Sequence, residues 1–475
     1  MKNTYNNKIA YAILAAGEGT RMRSTLPKVL FDICGKTMIE YVLETVAQTD
    51  YAGKVYIIVG HKADIVKDAI LKSSIDNKLK QRLIFVYQKQ QLGTADAVKQ
   101  LNKKLPRCVK YLVVLSGDVP LISPSTINKL ISLHIEAKVD CTVASFITNE
   151  PTGYGRIVRD ISKHFVEIVE EIDATDAQKL IKEVNAGVYV FSLPQLWSAI
   201  SKVKPENKKG EYYLTDTLKY IKSKQAVQCG DAKEFKGVNS REELTEVIEY
   251  VRHKIINNLM RNGVTIMLPQ TVYVDWNTKV GEDTQILQGC IIMNSQIGRS
   301  CVIGPNSYIN FSNIGNNVTV TYSHIVSANI GDNCSIGPFS RIRPETTIAD
   351  NVSIGNFVEI KKSEIKSGTK INHLSYIGDT TILNNVNIGA GTITCNYDGI
   401  RKHKTYIGKR VFIGSNVNLI APINVGDNVV IAAGSTISKD VPANTFVIAR
   451  TKEIHKPNHR IVKRLLMKHN GENDE

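Results

Sequence analysis

From Val280 onward an aliphatic residue returns every six positions, and Ile330, Ile336, Ile342, Ile348, Ile354 and Ile360 form one unbroken run. The series Ile297, Ile303, Ile309 and the series Ile407, Ile413, Leu419, Val425, Ile431, Ile437 keep the same period. Glycine often follows, as at 298, 304, 331, 337, 355, 408, 414 and 426. Neither the 3.6-residue period of a helix nor the period of two of a strand gives a strict six. A hexad instead makes one short face of a triangular coil, with one aliphatic side chain pointing inward. The pattern therefore predicts a parallel β-helix with roughly 18 residues per coil. Val280–Ile437 gives about nine coils, a prism about 40 Å tall at ~4.8 Å per strand.

The repeat breaks between Thr394 and Ile407, where the spacing is 13 and the content is Cys395-Asn-Tyr-Asp-Gly-Ile-Arg-Lys-His-Lys-Thr-Tyr406. Read against two hexads, that is one residue too many. So polar a segment cannot line the core, and it is expected to protrude, as insertions on the binding face of solenoids do. Residues 451–475 are polar and basic and are expected to be loosely held. Pro457 between His455 and His459 argues against a helical metal-binding pair.

Before the repeat, short apolar runs alternate with amphipathic stretches. Ala10–Ala15, Val55–Val59, Leu83–Tyr87, Tyr111–Leu115, Cys141–Phe146 and Gly187–Phe191 read as strands; Met38–Thr49, Ala63–Leu71, Thr94–Lys103 and Pro124–Ala137 read as helices. Such alternation predicts an α/β, Rossmann-like sheet, largely parallel, with ligands beyond the carboxyl ends of its strands. Ser240 and Glu243 suit a capping box. Leu244, Val247, Ile248, Val251, Ile255 and Leu259 then mark one face of a long helix that Gly263 ends. The expected division is 1–237 for the α/β domain, 238–262 for the linking helix, 263–450 for the β-helix and 451–475 for the tail.

A chain of 475 residues suggests about three structural units. It is 43% apolar but only 7% aromatic, so its cores should be aliphatic. No apolar run approaches the ~18 residues of a membrane helix. The stretch Ile9–Gly17 could pass for a signal-peptide core, but the basic glycine loop after it favours a buried strand leading into a site. The eight cysteines are scattered without a CxxC, which indicates neither zinc nor a disulfide framework and makes a reduced, cytoplasmic protein the default. The net charge of +15 admits two readings, lysine-rich drift or polyanionic ligands. No recognition motif or dense basic helix supports nucleic acid as a partner.

The segment from Leu14 to Lys28, Leu-Ala-Ala-Gly-Glu-Gly-Thr-Arg-Met-Arg-Ser-Thr-Leu-Pro-Lys, places two glycines after a strand. Glycines there let backbone N–H groups approach phosphates, and Arg21 and Lys28 add cations. A dinucleotide fingerprint would need glycine at Met22, and a P-loop ending in Gly35-Lys36-Thr37 would need it at Leu30. The full string resembles the sugar-nucleotidyltransferase (pyrophosphorylase) family, with its Leu-x-x-Gly-x-Gly-Thr-Arg loop closed by Pro-Lys. Gln88, Gln91-Leu-Gly-Thr94, Gly117-Asp118, Pro151-Thr-Gly-Tyr-Gly155-Arg, Glu170, Asn185-Ala-Gly187, Gly210-Glu-Tyr-Tyr213 and Gly237-Val-Asn239 follow in order. With the hexad repeat and Asn396-Tyr397-Asp398-Gly399, roughly residues 8–450 resemble the bifunctional N-acetylglucosamine-1-phosphate uridylyltransferase / glucosamine-1-phosphate N-acetyltransferase family.

That resemblance implies a left-handed β-helix, a homotrimer, and synthesis of UDP-N-acetylglucosamine for peptidoglycan and lipopolysaccharide precursors. The substrates would be UTP, acetyl-CoA, glucosamine-1-phosphate and N-acetylglucosamine-1-phosphate. It implies that Leu14, Ala15, Ala16, Gly17, Arg21 and Lys28 surround the nucleotide phosphates, and that Gln88, Gly93 and Thr94 hold the uracil and ribose. Asp118 and Asn239 would bind Mg²⁺, while Gly155, Glu170, Asn185 and Asn239 contact the sugar nucleotide. Where the family usually has Tyr before Gly117-Asp118, this chain has Ser116, which would alter a sugar contact and leave the metal site intact. Nucleotidyl transfer suits such residues, because it needs positioning and charge neutralisation more than a protein nucleophile.

In the repeat, Arg343 and Lys361 are 18 apart, so they stack on successive coils and can grip one phosphate. His373, twelve beyond Lys361, falls near a corner of the next coil. The resemblance makes His373 the base, puts Arg343, Lys361, Tyr376 and Asn387 on the sugar phosphate, and leaves Glu359 in support. It gives acetyl-CoA or its surroundings Ala390, Asn396, Tyr397, Ser415, Ala433 and Arg450. Two other readings stay open here: a single-activity nucleotidyltransferase with a merely structural β-helix, and a non-enzymatic exchange-factor or scaffold protein. The Asn396-Tyr397 loop with His373 counts against the first, and the complete glycine loop with Lys28 and Asp118 against the second.

Overall fold

The computed structural model describes residues 7–469; residues 1–6 and 470–475, at the ends of the expected first and last segments, lie outside the described residues. The chain divides into two compact units, 1–254 and 255–475, with the division inside the helix Arg241–Arg261.

The first unit is built on a twisted sheet. Its main path runs Lys224–Gln228, Cys141–Ile147, Glu183–Ser192, Tyr111–Ser116, Ile9–Ala15, Lys54–Val59, Leu83–Tyr87. Only Glu183–Ser192 runs against its neighbours on this path. The central strands are continuous aliphatic runs because helices cover both faces. Ile9, Ile13, Val55 and Val113 pack in one core beneath Ile39, Val42, Ile127 and Leu130. Ala10, Ala12, Leu112 and Val114 pack in the other against Val98, Leu196 and Ile200. The four expected helices occur as Met38–Ala47, Ala63–Lys72, Thr94–Lys99 and Pro124–Ala137.

Three strands of this sheet have no counterpart among the expected strands. Arg156–Arg159 and Phe165–Val169 form a side hairpin off Glu183–Ser192, and Lys224–Gln228 makes the sheet edge. Lys224–Gln228 is half-buried and reads Lys-Gln-Ala-Val-Gln, without alternation; its backbone pairing holds it, not a hydrophobic pattern.

The linking helix starts as expected. Glu243 Oε2 accepts from the Ser240 N–H at 3.0 Å, and Ser240 Oγ accepts from the Glu243 N–H at 3.3 Å. Gly263, with φ 85°, ends it.

The second unit is a parallel β-helix of three ladders with eleven, ten and nine strands. It begins at Thr265, earlier than the hexads suggest, because Ile266 and Val274 already pair in register with Ile286 and Ile292. The aliphatic positions stack: Ile336, Ile354, Ile371, Ile388, Ile413 and Ile431 follow one another on one face, all buried. The corners turn through left-handed residues such as Asn306, Asn317, Asn333, Asn351 and Asn428, a conformation that asparagine tolerates better than most L residues.

The interruption is larger than the sequence reading had it. Thr394 and Ile407 lie on consecutive faces, so 13 residues occupy a step that takes six between Leu419 and Val425. A loop therefore leaves the prism between Ile393–Cys395 and Thr405–Ile407. The tail contains an element that was not expected from the sequence. Arg460–His469 is a helix, favoured by the spacing of Ile461, Val462, Leu465 and Leu466, all of them exposed.

Candidate active sites

In the first unit the strands Ile9–Ala15 and Tyr111–Ser116 are parallel neighbours and end together, with Leu14 opposite Ser116. The Gly117 N–H donates to the Leu14 carbonyl at 2.9 Å, fixing the turn that carries Asp118. A cavity of about 520 Å³ opens at these carboxyl ends. Its lining includes Leu14, Ala15, Ala16 and Gly17 on one side and Ser116 and Asp118 on another. Lys28, Gln88, Gly93 and Thr94 line it as well. Arg21 is exposed on the short turn Thr20–Met22 and is not part of this lining. Glu18, Gln91 and Glu211, which stand within the quoted motifs without an assigned role, also reach the cavity.

Local chemistry sets these side chains. Gln88 is buried, and its amide donates to Asp96 Oδ2 at 2.8 Å and to the Gly93 carbonyl at 3.2 Å, so its Oε1 is the end left for a ligand. Gly93 has φ 122°, and a Cβ there would lie 2.5 Å from the Tyr212 carbonyl oxygen. Only glycine fits a chain crossing that closely. Gly155, Glu170 and Asn185 come together: a Cβ on Gly155 would stand 3.4 Å from Glu170 Oε2 and 3.6 Å from Asn185 Cβ. Glu170 lines a neighbouring cavity of about 360 Å³, where burial pushes its carboxyl up and a 3.0 Å bond from the Thr215 hydroxyl partly offsets that.

Asn239 reaches Asp118 because the Val238 N–H donates to the Asp118 carbonyl at 2.9 Å. Lys28 then joins them, its ammonium donating to Asp118 Oδ2 and, at 2.9 Å, to Asn239 Oδ1. Two oxygens that hold one ammonium nitrogen can also hold one small cation, and both are hard donors of the kind that Mg²⁺ takes. Among the described residues no group of three or more His, Cys, Asp or Glu side chains could hold a metal. The pair is therefore a partial shell that needs further oxygens.

In the second unit the strands Arg341–Ile342, Glu359–Lys361 and Tyr376–Gly378 are successive rungs of one ladder. Arg343, just past the first, donates its N–H to Ile360 at 2.9 Å, which puts it level with Lys361 on the next coil, as the 18-residue spacing predicts. Glu359 accepts from Arg343 Nη1 at 2.7 Å and so orients the guanidinium. Lys402, from the protruding loop, lies beside Lys361; its charge and that of Arg343 hold Lys361 below the ordinary lysine value. Lys402 escaped the sequence reading because nothing in the repeat says where a loop returns.

His373 ends the strand Lys370–His373 and Tyr376 begins the next, so the two flank one corner. His373 Nδ1 is 3.0 Å from Asn356 Oδ1 on the coil below, an oxygen that can only accept. Nδ1 thus carries the hydrogen and the exposed Nε2 keeps its lone pair. Asn387 is on the same ladder one coil above, paired with Lys370. Asn396 is buried and donates to Asp379 Oδ2 at 2.6 Å, while Tyr397 is 60% exposed beside it. Ala390, Ser415 and Ala433 stack at one corner: the Asn416 N–H donates to the Ala390 carbonyl at 2.7 Å and the Gly434 N–H to that of Ser415 at 2.8 Å. Arg450 Nη1 closes this row on the Ala433 carbonyl at 3.0 Å.

Two family models match the chain. One described as nucleotidyl transferase covers residues 11–251, and one described as bacterial transferase hexapeptide (six repeats) covers 327–362 and 404–439. Proteins called bifunctional protein GlmU are similar over nearly the whole length. That of Caldanaerobacter subterraneus subsp. tengcongensis is 45% identical over 94% of this chain and 97% of its own. That of Thermoanaerobacter pseudethanolicus is 46% identical over 94% and 96%, and that of Staphylococcus haemolyticus 43% over 94% and 97%.

Proposed function

The chain belongs to the GlmU family of bifunctional proteins, and on that premise we propose how its residues divide two reactions between two sites. The protein is an enzyme that makes UDP-N-acetylglucosamine. An acetyl group passes from acetyl-CoA to the amine of glucosamine-1-phosphate. A uridylyl group then passes from UTP to N-acetylglucosamine-1-phosphate, and pyrophosphate leaves. The product feeds peptidoglycan and lipopolysaccharide precursor synthesis.

Uridylyl transfer belongs to residues 1–237, with Asn239 contributed from the start of the linking segment. The convergence of Asp118 and Asn239 at the carboxyl ends of the central strands carries this reading. The sugar-phosphate oxygen attacks the α-phosphorus of UTP in line, and the bond to pyrophosphate breaks. Leu14–Gly17 offer backbone N–H groups, Arg21 and Lys28 charge, and Gln88, Gly93 and Thr94 the uracil and ribose contacts. Gly155, Glu170 and Asn185 face the sugar, with Ser116 and Gly117 beside it. The family uses a divalent metal; Asp118 and Asn239 would hold Mg²⁺, which neutralises phosphate charge when bound. Chelation with EDTA is expected to stop pyrophosphate release and leave acetyl transfer unchanged; equal inhibition of both would refute the division.

Acetyl transfer belongs to residues 263–450, joined to the first domain by the helix within 238–262. Arg343 and Lys361, with Lys402 beside them, grip the sugar phosphate, and Tyr376 and Asn387 position the ring. Ala390, Ser415 and Ala433 receive the extended arm of acetyl-CoA, with Arg450, Asn396 and Tyr397 at its ends. Arg343→Ala is expected to raise the KM for glucosamine-1-phosphate about tenfold or more while kcat changes less. A lowered kcat with an unchanged KM would remove Arg343 from the phosphate.

Three copies are expected to pack through the flat faces of their prisms. Light scattering then gives three times the 52.7 kDa of one chain; a stable monomer at micromolar concentration would contradict this. Among the described residues no helix is long and apolar enough to cross a membrane, and a cytoplasmic location suits nucleotide and acyl-CoA substrates.

A further inference from the structure

The Lys28 ammonium sits in the seat that the preceding reading gives to the metal. It donates to both oxygens of that seat, Asp118 Oδ2 and Asn239 Oδ1, the second at 2.9 Å. Its stem is held as well: a Cβ on Gly19 would lie 2.8 Å from Lys28 Cβ, so the side chain runs against the glycine loop. The Lys28 and Asp118 side chains are only 14% and 21% exposed, so water supplies little of their solvation. An ammonium and a divalent cation cannot share these two oxygens, since they compete for the same lone pairs and repel each other.

We infer that Lys28 is the resident cation of the substrate-free site, and that the species that displaces it is a metal–nucleoside triphosphate chelate rather than bare metal. The exchange balances charge. A bare cation would evict the ammonium from both of its partners and bring no phosphate to receive it. A chelate brings the cation for Asp118 and Asn239 together with phosphates that take up the released ammonium. The partial shell supports this, because two protein oxygens need others and the triphosphate supplies them. Metal and nucleotide then enter in one step, and Lys28 reaches the phosphates only as the metal reaches its seat. This rests on the assignment of Asp118 and Asn239 as metal ligands.

Titration of the full chain with Mn²⁺ alone, followed by electron paramagnetic resonance, tests it without turnover. Wild type is expected to bind weakly, and Lys28→Met about tenfold or more tighter. Arg23→Met removes one positive charge from an exposed position of the same glycine loop, and is expected to change affinity less than about threefold. Lys28→Ala repeats the measurement in case the methionine stem blocks the seat. Equal affinity in wild type and both Lys28 variants, undetectable binding included, overturns the inference, as does equal tightening by Arg23→Met. Mn²⁺ bound in the presence of UTP by wild type and lost in Asp118→Ala keeps the metal assignment whatever Lys28 does. Mn²⁺–UTP binding that survives Asp118→Ala instead refutes that assignment.

Discussion

Replacing His373 with alanine is expected to lower acetyl transfer by about 10²–10⁴-fold and leave uridylyl transfer at its parent rate. The amine of glucosamine-1-phosphate is mostly an ammonium near neutral pH, and an ammonium has no lone pair to attack a thioester. A base must take its proton, and imidazole titrates in the right range. In this fold Asn356 accepts from Nδ1 at 3.0 Å, so the exposed Nε2 is the atom that receives it. Nitrogen then attacks the thioester carbonyl, the carbon–sulfur bond breaks, and coenzyme A leaves as the thiol. The loss stops short of the uncatalysed level because Arg343, Lys361 and the Asn396–Tyr397 loop still bring the substrates together, and positioning alone contributes several kcal/mol. Asn356→Ala should reproduce part of the loss, because the ring then rotates freely. A trimeric His373→Ala enzyme acetylating within about threefold of the parent rate would make His373 an ordinary corner residue.

Asp118→Ala is expected to reduce metal-dependent pyrophosphate release by about 10³-fold or more, since it removes the one carboxylate of the seat and several kcal/mol of charge stabilisation with it. Asp118 is also the partner of Lys28, so the variant frees the ammonium to sit on the phosphates permanently. Residual activity would then show weak dependence on metal concentration. Acetyl transfer is expected to stay near the parent rate. Its collapse in a folded Asp118→Ala protein would mean that the two reactions do not occupy separate sites.

The β-helix was legible because its core is one-dimensional: each coil needs one aliphatic residue per face, so Ile330 to Ile360 spell out the prism directly. The expected boundary at 263 lies close to the first strand at Thr265, but the hexads show only from Val280, because Ile266 and its partner on the next coil, Ile286, are 20 positions apart and fall outside the strict period of six. The size of the insertion was misjudged because a spacing of 13 resembles two hexads. Only strand pairing shows that Thr394 and Ile407 are one face apart. In the first unit the buried parallel strands announced themselves by aliphatic runs, whereas Lys224–Gln228 is held by backbone pairing and leaves little trace in composition; the short strands Arg156–Arg159 and Phe165–Val169 do bury Ile157, Phe165 and Ile168 in the core.

The sites divide in the same way. The glycine loop is a local motif and could be read from its residues. The meeting of Lys28 with Asp118 and Asn239, residues 90 and 211 positions away, is a property of the fold. Asn356 and Lys402 belong to the same class: one orients His373 from the coil below, and the other arrives on a loop. The helix Arg460–His469 was overlooked because the basic composition of the tail hid its aliphatic spacing.

The most direct test of the two-site enzyme is a single incubation of the full chain with glucosamine-1-phosphate, acetyl-CoA, UTP and Mg²⁺. The account predicts UDP-N-acetylglucosamine, pyrophosphate and coenzyme A in equal amounts, with no nucleotide sugar when acetyl-CoA is omitted. Accumulation of N-acetylglucosamine-1-phosphate without pyrophosphate, or of a nucleotide sugar without coenzyme A release, would contradict it.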